Sequence, residues 1–145
     1  MFNESRIDIY NYLYTLFYGT VTENVYSMNE PQELTKSDTS DGFIVLHVGN
    51  LIDESEFSLD AFGQVRCYVE AFIPPISRGR LDVEKYKAFE DGINAVIKEA
   101  MDSSEGIYYI QSDSVISLDA EETNNANNTY FTFIKSFIVV VDEQE

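Results

Sequence analysis

The chain has 145 residues, 44% hydrophobic and 14% aromatic, with a formal net charge of -17 from 26 acidic and 9 basic side chains. So acidic a surface repels nucleic-acid phosphates, which argues against sequence-specific nucleic-acid binding. With 10 Tyr and 10 Phe it also lacks the thin composition of a disordered acidic tail.

A chain of this size buries roughly two thirds of its unfolded surface, so a single α+β domain over residues 1–145 is expected. Residues 5–18 read as a first helix, with Ser5 or Asn3 as N-cap, Asp8 in the early turns and Gly19 as a stop. Ile7, Tyr10, Tyr14 and Phe17 form one stripe, which Ile9, Leu13 and Leu16 widen. Such an apolar circumference predicts two contacts, one with the helix's own sheet and one elsewhere; the alternative is a deeply packed core helix with Tyr hydroxyls at the surface. Thr20 to Gly42, with Pro31 and the polar cluster Lys36–Gly42, reads as a connection with turns.

Phe43–Gly49 reads as the first strand and Gln64–Ile73 as the second. In the second, Val65, Cys67, Val69, Ala71 and Ile73 alternate with Arg66, Tyr68, Glu70 and Phe72, as in an antiparallel sheet with one covered face. The link between them, Leu51–Gly63, is rich in carboxylates, and Pro74-Pro75 ends the second strand. A long helix is predicted from an Asp82 N-cap to about Ser103, with Tyr86, Phe89, Ile93, Val96, Ile97 and Ala100 on its apolar side. Gly92 within it is a place for close backbone approach. Two further strands are predicted over 106–118 and 129–141, joined by the loop Asp119–Asn128. The last strand is apolar on both faces near its end and is therefore central or covered by a partner. The expected architecture is a mostly antiparallel four-stranded sheet packed against the long helix and the N-terminal helix, in the order α-β-β-α-β-β.

Chemical motifs are sparse. One histidine, His47, and one cysteine, Cys67, fall short of the three or four ligands of a zinc site. No serine stands in a nucleophile elbow, and no glycine-rich phosphate loop is present. His47 reads as a satisfied sheet histidine or an interface residue, and Cys67 as a small buried hydrophobe. The carboxylates Asp53, Glu54, Glu56 and Asp60 miss the calcium-loop spacing and read as a solvated loop. No enzyme activity, metal or cofactor is expected. The longest apolar run, Phe137–Val141, is too short to span a bilayer, Met1–Arg6 lacks the order of an export signal, and the single Cys67 excludes an intramolecular disulfide, so a cytoplasmic protein, or a particle component assembled in cytoplasm, without membrane association is expected.

Charge is unevenly spread. Arg66, Arg78, Arg80, Lys85, Lys87 and Lys98 hold six of the nine basic positions, whereas residues 99–145 carry ten acids against Lys135 alone. In a symmetric ring the basic surface of one subunit would meet the acidic surface of the next, head to tail. The competing reading is that Arg78 and Arg80 brace their own loop.

An N-terminal helix, a long link, a strand pair leaving through Pro74-Pro75, a long helix beginning at Asp82 and a terminal strand pair resemble the tail-terminator or tail-completion proteins of tailed bacteriophages and their head-to-tail connector relatives. The resemblance covers about Ser5 to Val141 and rests on element order. It implies a non-enzymatic structural subunit that forms a homo-oligomeric ring, terminates the tail tube or joins it to the head, and meets tail-tube and neck or head-completion proteins. It further implies a virion component assembled in host cytoplasm. Pro74, Pro75, Arg78, Arg80, Tyr10, Tyr14 and Lys135 are the candidate subunit-interface residues. Asp53, Glu54, Glu56, Asp60, Glu121 and Glu122 are candidates for an acidic lumen or surface. The alternative is an acidic soluble protein-binding adaptor or regulatory module, and a small phosphoanion-binding enzyme centred on Arg78 and Arg80 would need a concave pocket converging on them.

Overall fold

The computed structural model describes residues 6–28, 33–52, 62–103, 108–112, 121–125 and 128–142. In chain order these form α1 (Arg6–Phe17), β1 (Val25–Ser27), α2 (Lys36–Asp41), β2 (Phe43–Ile52), β3 (Phe62–Ile73), a 3-10 turn (Ser77–Gly79), α3 (Val83–Asp102), β4 (Tyr108–Ser112), β5 (Glu121–Asn125) and β6 (Asn128–Asp142). The fold is α+β with a mixed sheet, in which β1 is parallel to β2 and the remaining pairs are antiparallel.

The four-stranded sheet and the order α-β-β-α-β-β expected from sequence are therefore corrected. The strands run β1-β2-β3-β6, and β6 then carries both β4 and β5. Because β3 pairs with β6 from Phe62↔Asp142 to Ile73↔Phe131, the other two must share its opposite edge, β4 along 137–141 and β5 along 128–132. Six strands thus occupy five positions. Of the strand predicted over 106–118, Tyr108–Ser112 is strand and the rest lies outside the described residues; part of the predicted loop Asp119–Asn128, Glu121–Asn125, is β5. The last strand is central, which explains its two apolar faces.

The connection predicted over 20–42 also contains structure. Thr35 caps α2 through a reciprocal box: its hydroxyl accepts from the Asp38 amide at 3.1 Å, and the Asp38 carboxylate accepts from the Thr35 amide at 3.0 Å. Gly42 ends the helix at φ 87°, and a Cβ there would meet the Phe72 carbonyl oxygen at 2.6 Å, so only glycine fits without a shift. The long helix follows its prediction closely: the Asp82 carboxylate accepts from the Lys85 amide at 3.1 Å, and Ser103 forms the C-cap. Gly92 admits the Val21 side chain, whose Cγ2 would stand 3.1 Å from an added Cβ.

α1 and α3 cover one face of the sheet. There Ile9, Leu13 and Phe17 of α1 and Phe89, Ile93 and Ile97 of α3 close over Leu46, Val69, Phe133, Phe137 and Val139. Cys67 is fully buried in this layer. The other face carries a separate cluster of Phe43, Val45, Phe72 and Tyr130, with Tyr26 and Leu34 packed against it. Burial of the first cluster, at roughly 25 cal/mol per Å² of apolar surface, is the main force holding the two helices on the sheet.

Candidate functional site

β3 ends as its predicted proline pair requires, with Pro74 buried and Pro75 half-buried, and the chain then turns outward. Residues 76–80 form a small closed loop: the Ile76 amide donates to the Arg80 carbonyl at 2.8 Å and the Gly79 amide to the Ile76 carbonyl at 3.1 Å. Ser77 to Arg80 are all exposed, so the loop presents its arginines to solvent. The two arginines have different roles. Arg80 braces the loop, its Nε donating to the Ser77 carbonyl and a terminal nitrogen to the Ser77 hydroxyl, both at 3.3 Å. Arg78 sits at φ 62°, an unusual conformation for a residue with a side chain, and makes no hydrogen bond or ion pair among the described residues.

α1 has two unlike sides. Ile9, Tyr10, Leu13 and Phe17 are buried, whereas Ile7, Tyr14 and Tyr18 are 58%, 40% and 46% exposed. The stripe read from sequence is therefore rotated: Tyr10 belongs to the core side, and Ile7 and Tyr14 lie outward. Tyr14 and Tyr18 stack with ring centroids 5.3 Å apart. Tyr10 is engaged inside the chain's own fold, since its hydroxyl accepts from the Val48 amide at 3.0 Å. Where α1 and α3 end, a groove of about 270 Å³ opens, lined by Thr15, Leu16, Thr20, Val96, Glu99 and Ser103 among others.

The second sheet face divides into an aromatic end and a polar end. At the aromatic end Phe43 stacks on Phe72 at 4.5 Å, and Tyr130 meets both rings edge-on. Asp38, fully buried, accepts from the Tyr26 hydroxyl at 2.7 and 2.8 Å. Burial first, then this hydrogen bond and the carboxylate's charge, push the Tyr26 phenol up to about 12. Tyr130 is raised by burial and by the Asp38 charge, and its hydroxyl makes no hydrogen bond among the described residues. At the polar end His47 stacks on Tyr68 at 4.4 Å. Its Nε2 lies 3.5 Å from Glu70 Oε1, an ion-pair distance without hydrogen-bond geometry, and makes no hydrogen bond among the described residues.

Of the other candidates, Lys135 stands opposite Val69 on the helix-covered face, half-buried between Phe133 and Phe137 in the strand alternation. Glu121 and Glu122 lie on β5, an edge strand rather than a loop. Asp53, Glu54, Glu56 and Asp60 lie outside the described residues. Among the described residues no three His, Cys, Asp or Glu side chains gather closely enough to hold a metal ion. The structure thus brings Pro74, Pro75, Arg78 and Arg80 into one feature and leaves Tyr14 on another surface. Sequence reading missed Asp38 and the groove at Glu99; the Thr35-x-x-Asp38 spacing was a signal for the first, while the second joins distant segments. Comparison of the chain with protein-family models and with curated proteins returns no match to either.

Proposed function

We propose that this chain is a non-catalytic structural subunit that assembles into a homo-oligomeric ring at the end of a bacteriophage tail or at the head–tail junction, terminating the tail tube or joining it to the head. The observation that carries this reading is the outward side of α1 and the residue that follows it, where Ile7, Tyr14 and Tyr18 expose apolar surface on a protein of net charge -17. Exposed apolar side chains clustered on one helix are the kind of surface that association buries. The projecting arginine loop adds a basic feature to an acidic molecule, which suits unlike surfaces meeting around a closed ring. The N-terminal helix, the β2–β3 pair, the long helix and the terminal strands from which the resemblance was drawn remain in the corrected order, with β1, α2 and β5 added.

Mass measurement of the purified chain, alone and with tail tubes, combined with negative-stain images, tests the proposal. Rings of one copy number, alone or capping tubes, are the expected result. A chain that stays monomeric and joins neither tube nor neck would overturn it. A 1:1 complex with a cellular protein that weakens steeply as salt rises would point instead to the acidic adaptor.

A further inference from the structure

We propose that Arg78 of one subunit seats in the groove between the C-terminal ends of α1 and α3 of the next copy of this chain. This contact rests on the ring reading and supplies its head-to-tail joint.

The groove has the chemistry of an acceptor. Thr15 donates its hydroxyl hydrogen to the Asn11 carbonyl at 2.9 Å, and Thr20 donates to the Phe17 carbonyl at 2.8 Å. Both hydroxyls have thus used their donor, and their remaining lone pairs can only accept. Glu99 adds a carboxylate. The groove also lies where two helices end, and neither α1 nor α3 has a basic residue in its last turn to offset the negative end of its dipole. Lys98 is exposed and does not line the groove. The acceptors of Thr15, Thr20 and Glu99, beside the apolar flanks of Leu16 and Val96, match an arginine: five N–H donors, no acceptor and an apolar stem. At about 270 Å³ the groove suits an inserted side chain and falls below the roughly 300 Å³ at which small-molecule pockets begin.

Arg78 is the complementary group. Its loop is held by the Ile76–Arg80 backbone bridge and by the Arg80–Ser77 hydrogen bonds, so little freedom remains to be lost on docking. Ile76 on the same loop is 42% exposed, and Tyr18 and Met101 at the two helix ends are 46% and 44% exposed, giving each side an apolar neighbour for the charged contact.

Placement decides between a contact within one subunit and a contact between two. Arg78 precedes the Asp82 N-cap of α3, and Glu99 lies in the last turn of the same helix. A helix of 20 residues is about 30 Å long, which no arginine side chain can bridge. Donor and acceptor at opposite ends of one rigid element generate a heterologous joint, and such joints form a ring when the rotation between copies closes.

Cross-linking between Arg78→Cys and Glu99→Cys proteins tests the joint. Cys67 is the only native thiol and is fully buried, so it does not compete. Under mild oxidation and conditions that give rings, the mixture is expected to form disulfide-linked dimers that neither variant forms alone. Arg78→Glu and Glu99→Arg should each weaken association by about tenfold or more, and the two changes combined in one chain should restore it. Rings that form normally with Arg78→Glu, and without cross-links in the mixed variants, would overturn the Arg78 joint and leave the ring reading standing. A wild-type chain that forms no ring, alone or on tail tubes, would overturn both.

Discussion

The two faces of the sheet are made by the same strands and solve different problems. On the helix-covered face, side chains such as Val69, Ala71, Phe137 and Val139 meet α1 and α3 in an almost wholly apolar layer. On the opposite face, an aromatic cluster surrounds a buried carboxylate at one end and His47, Tyr68 and Glu70 are partly open at the other. The first face gains from removing area from water, a force without direction. The second depends on particular hydrogen-bond partners, since Asp38 is tolerable in the interior only while Tyr26 and the Thr35 amide satisfy it. One face supplies stability, and the other fixes where α2 and the chain around it must lie.

Truncation on the covered face should have the largest effect. Phe137→Ala removes a fully buried ring that packs on Phe17, and urea unfolding should show a loss of about 3–5 kcal/mol. An effect below about 1 kcal/mol would mean that the covered face is not the chief source of stability.

An intermediate effect is expected at the buried carboxylate. Tyr26→Phe leaves Asp38 with the Thr35 amide and should cost about 1.5–3 kcal/mol. The same residue makes stability depend on alkaline pH. Its phenol is raised from an ordinary value of 10.0 to about 12, so the folded state holds the proton more tightly than the unfolded chain. The stability this supplies is complete below pH 10.0 and is lost as pH rises through about 12. Unfolding free energy should therefore fall across that window, and less steeply in Tyr26→Phe; equal slopes would show that Tyr26 does not carry the dependence. Tyr12, Tyr68 and Tyr130 are also raised and contribute a background common to both proteins.

The smallest effect belongs to the partly open end. Glu70→Gln removes the charge 3.5 Å from His47 and should change stability by less than about 1 kcal/mol, with the difference fading at high salt. A large, salt-independent loss would place this pair with the buried network instead.

The elements that announce themselves in sequence carry apolar periodicity. In α3 the Asp82 cap, the stripe from Tyr86 to Ala100 and the stop at Ser103 coincide, and predicted and observed bounds agree. β2, β3 and β6 are recognisable for the same reason, although each extends further than predicted. α2 and β5 have no such pattern. Lys36–Asp41 contains no apolar residue, and its helix is held by the capping box and the burial of Asp38. Glu121–Asn125 is strand because β6 offers it a partner edge, a reason its own residues do not express. The candidate site divides in the same way. The stiff exit at Pro74-Pro75 and the exposed arginines were readable, but the different roles of Arg78 and Arg80 come from one backbone dihedral and one serine. The groove was not readable, because it joins residues 15–20 to residues 96–103.

The margins of the sheet bear on how copies of this chain do not associate. On one side β1 pairs with only three residues of β2, Ile44–Leu46. Beyond it the Met28 amide is bound to the Leu46 carbonyl, the next outward amide, that of Val48, is taken by the Tyr10 hydroxyl, and the β2–β3 register shifts between Val48 and Leu51. On the other side β4 and β5 are five residues each and pair with separate parts of β6, 137–141 and 128–132. Among the described residues neither margin presents the long, regular row of free amides and carbonyls that templates another strand. Open-ended growth by strand addition, the route to fibres, is disfavoured at both edges, even though the interior strands are rich in valine, isoleucine and phenylalanine.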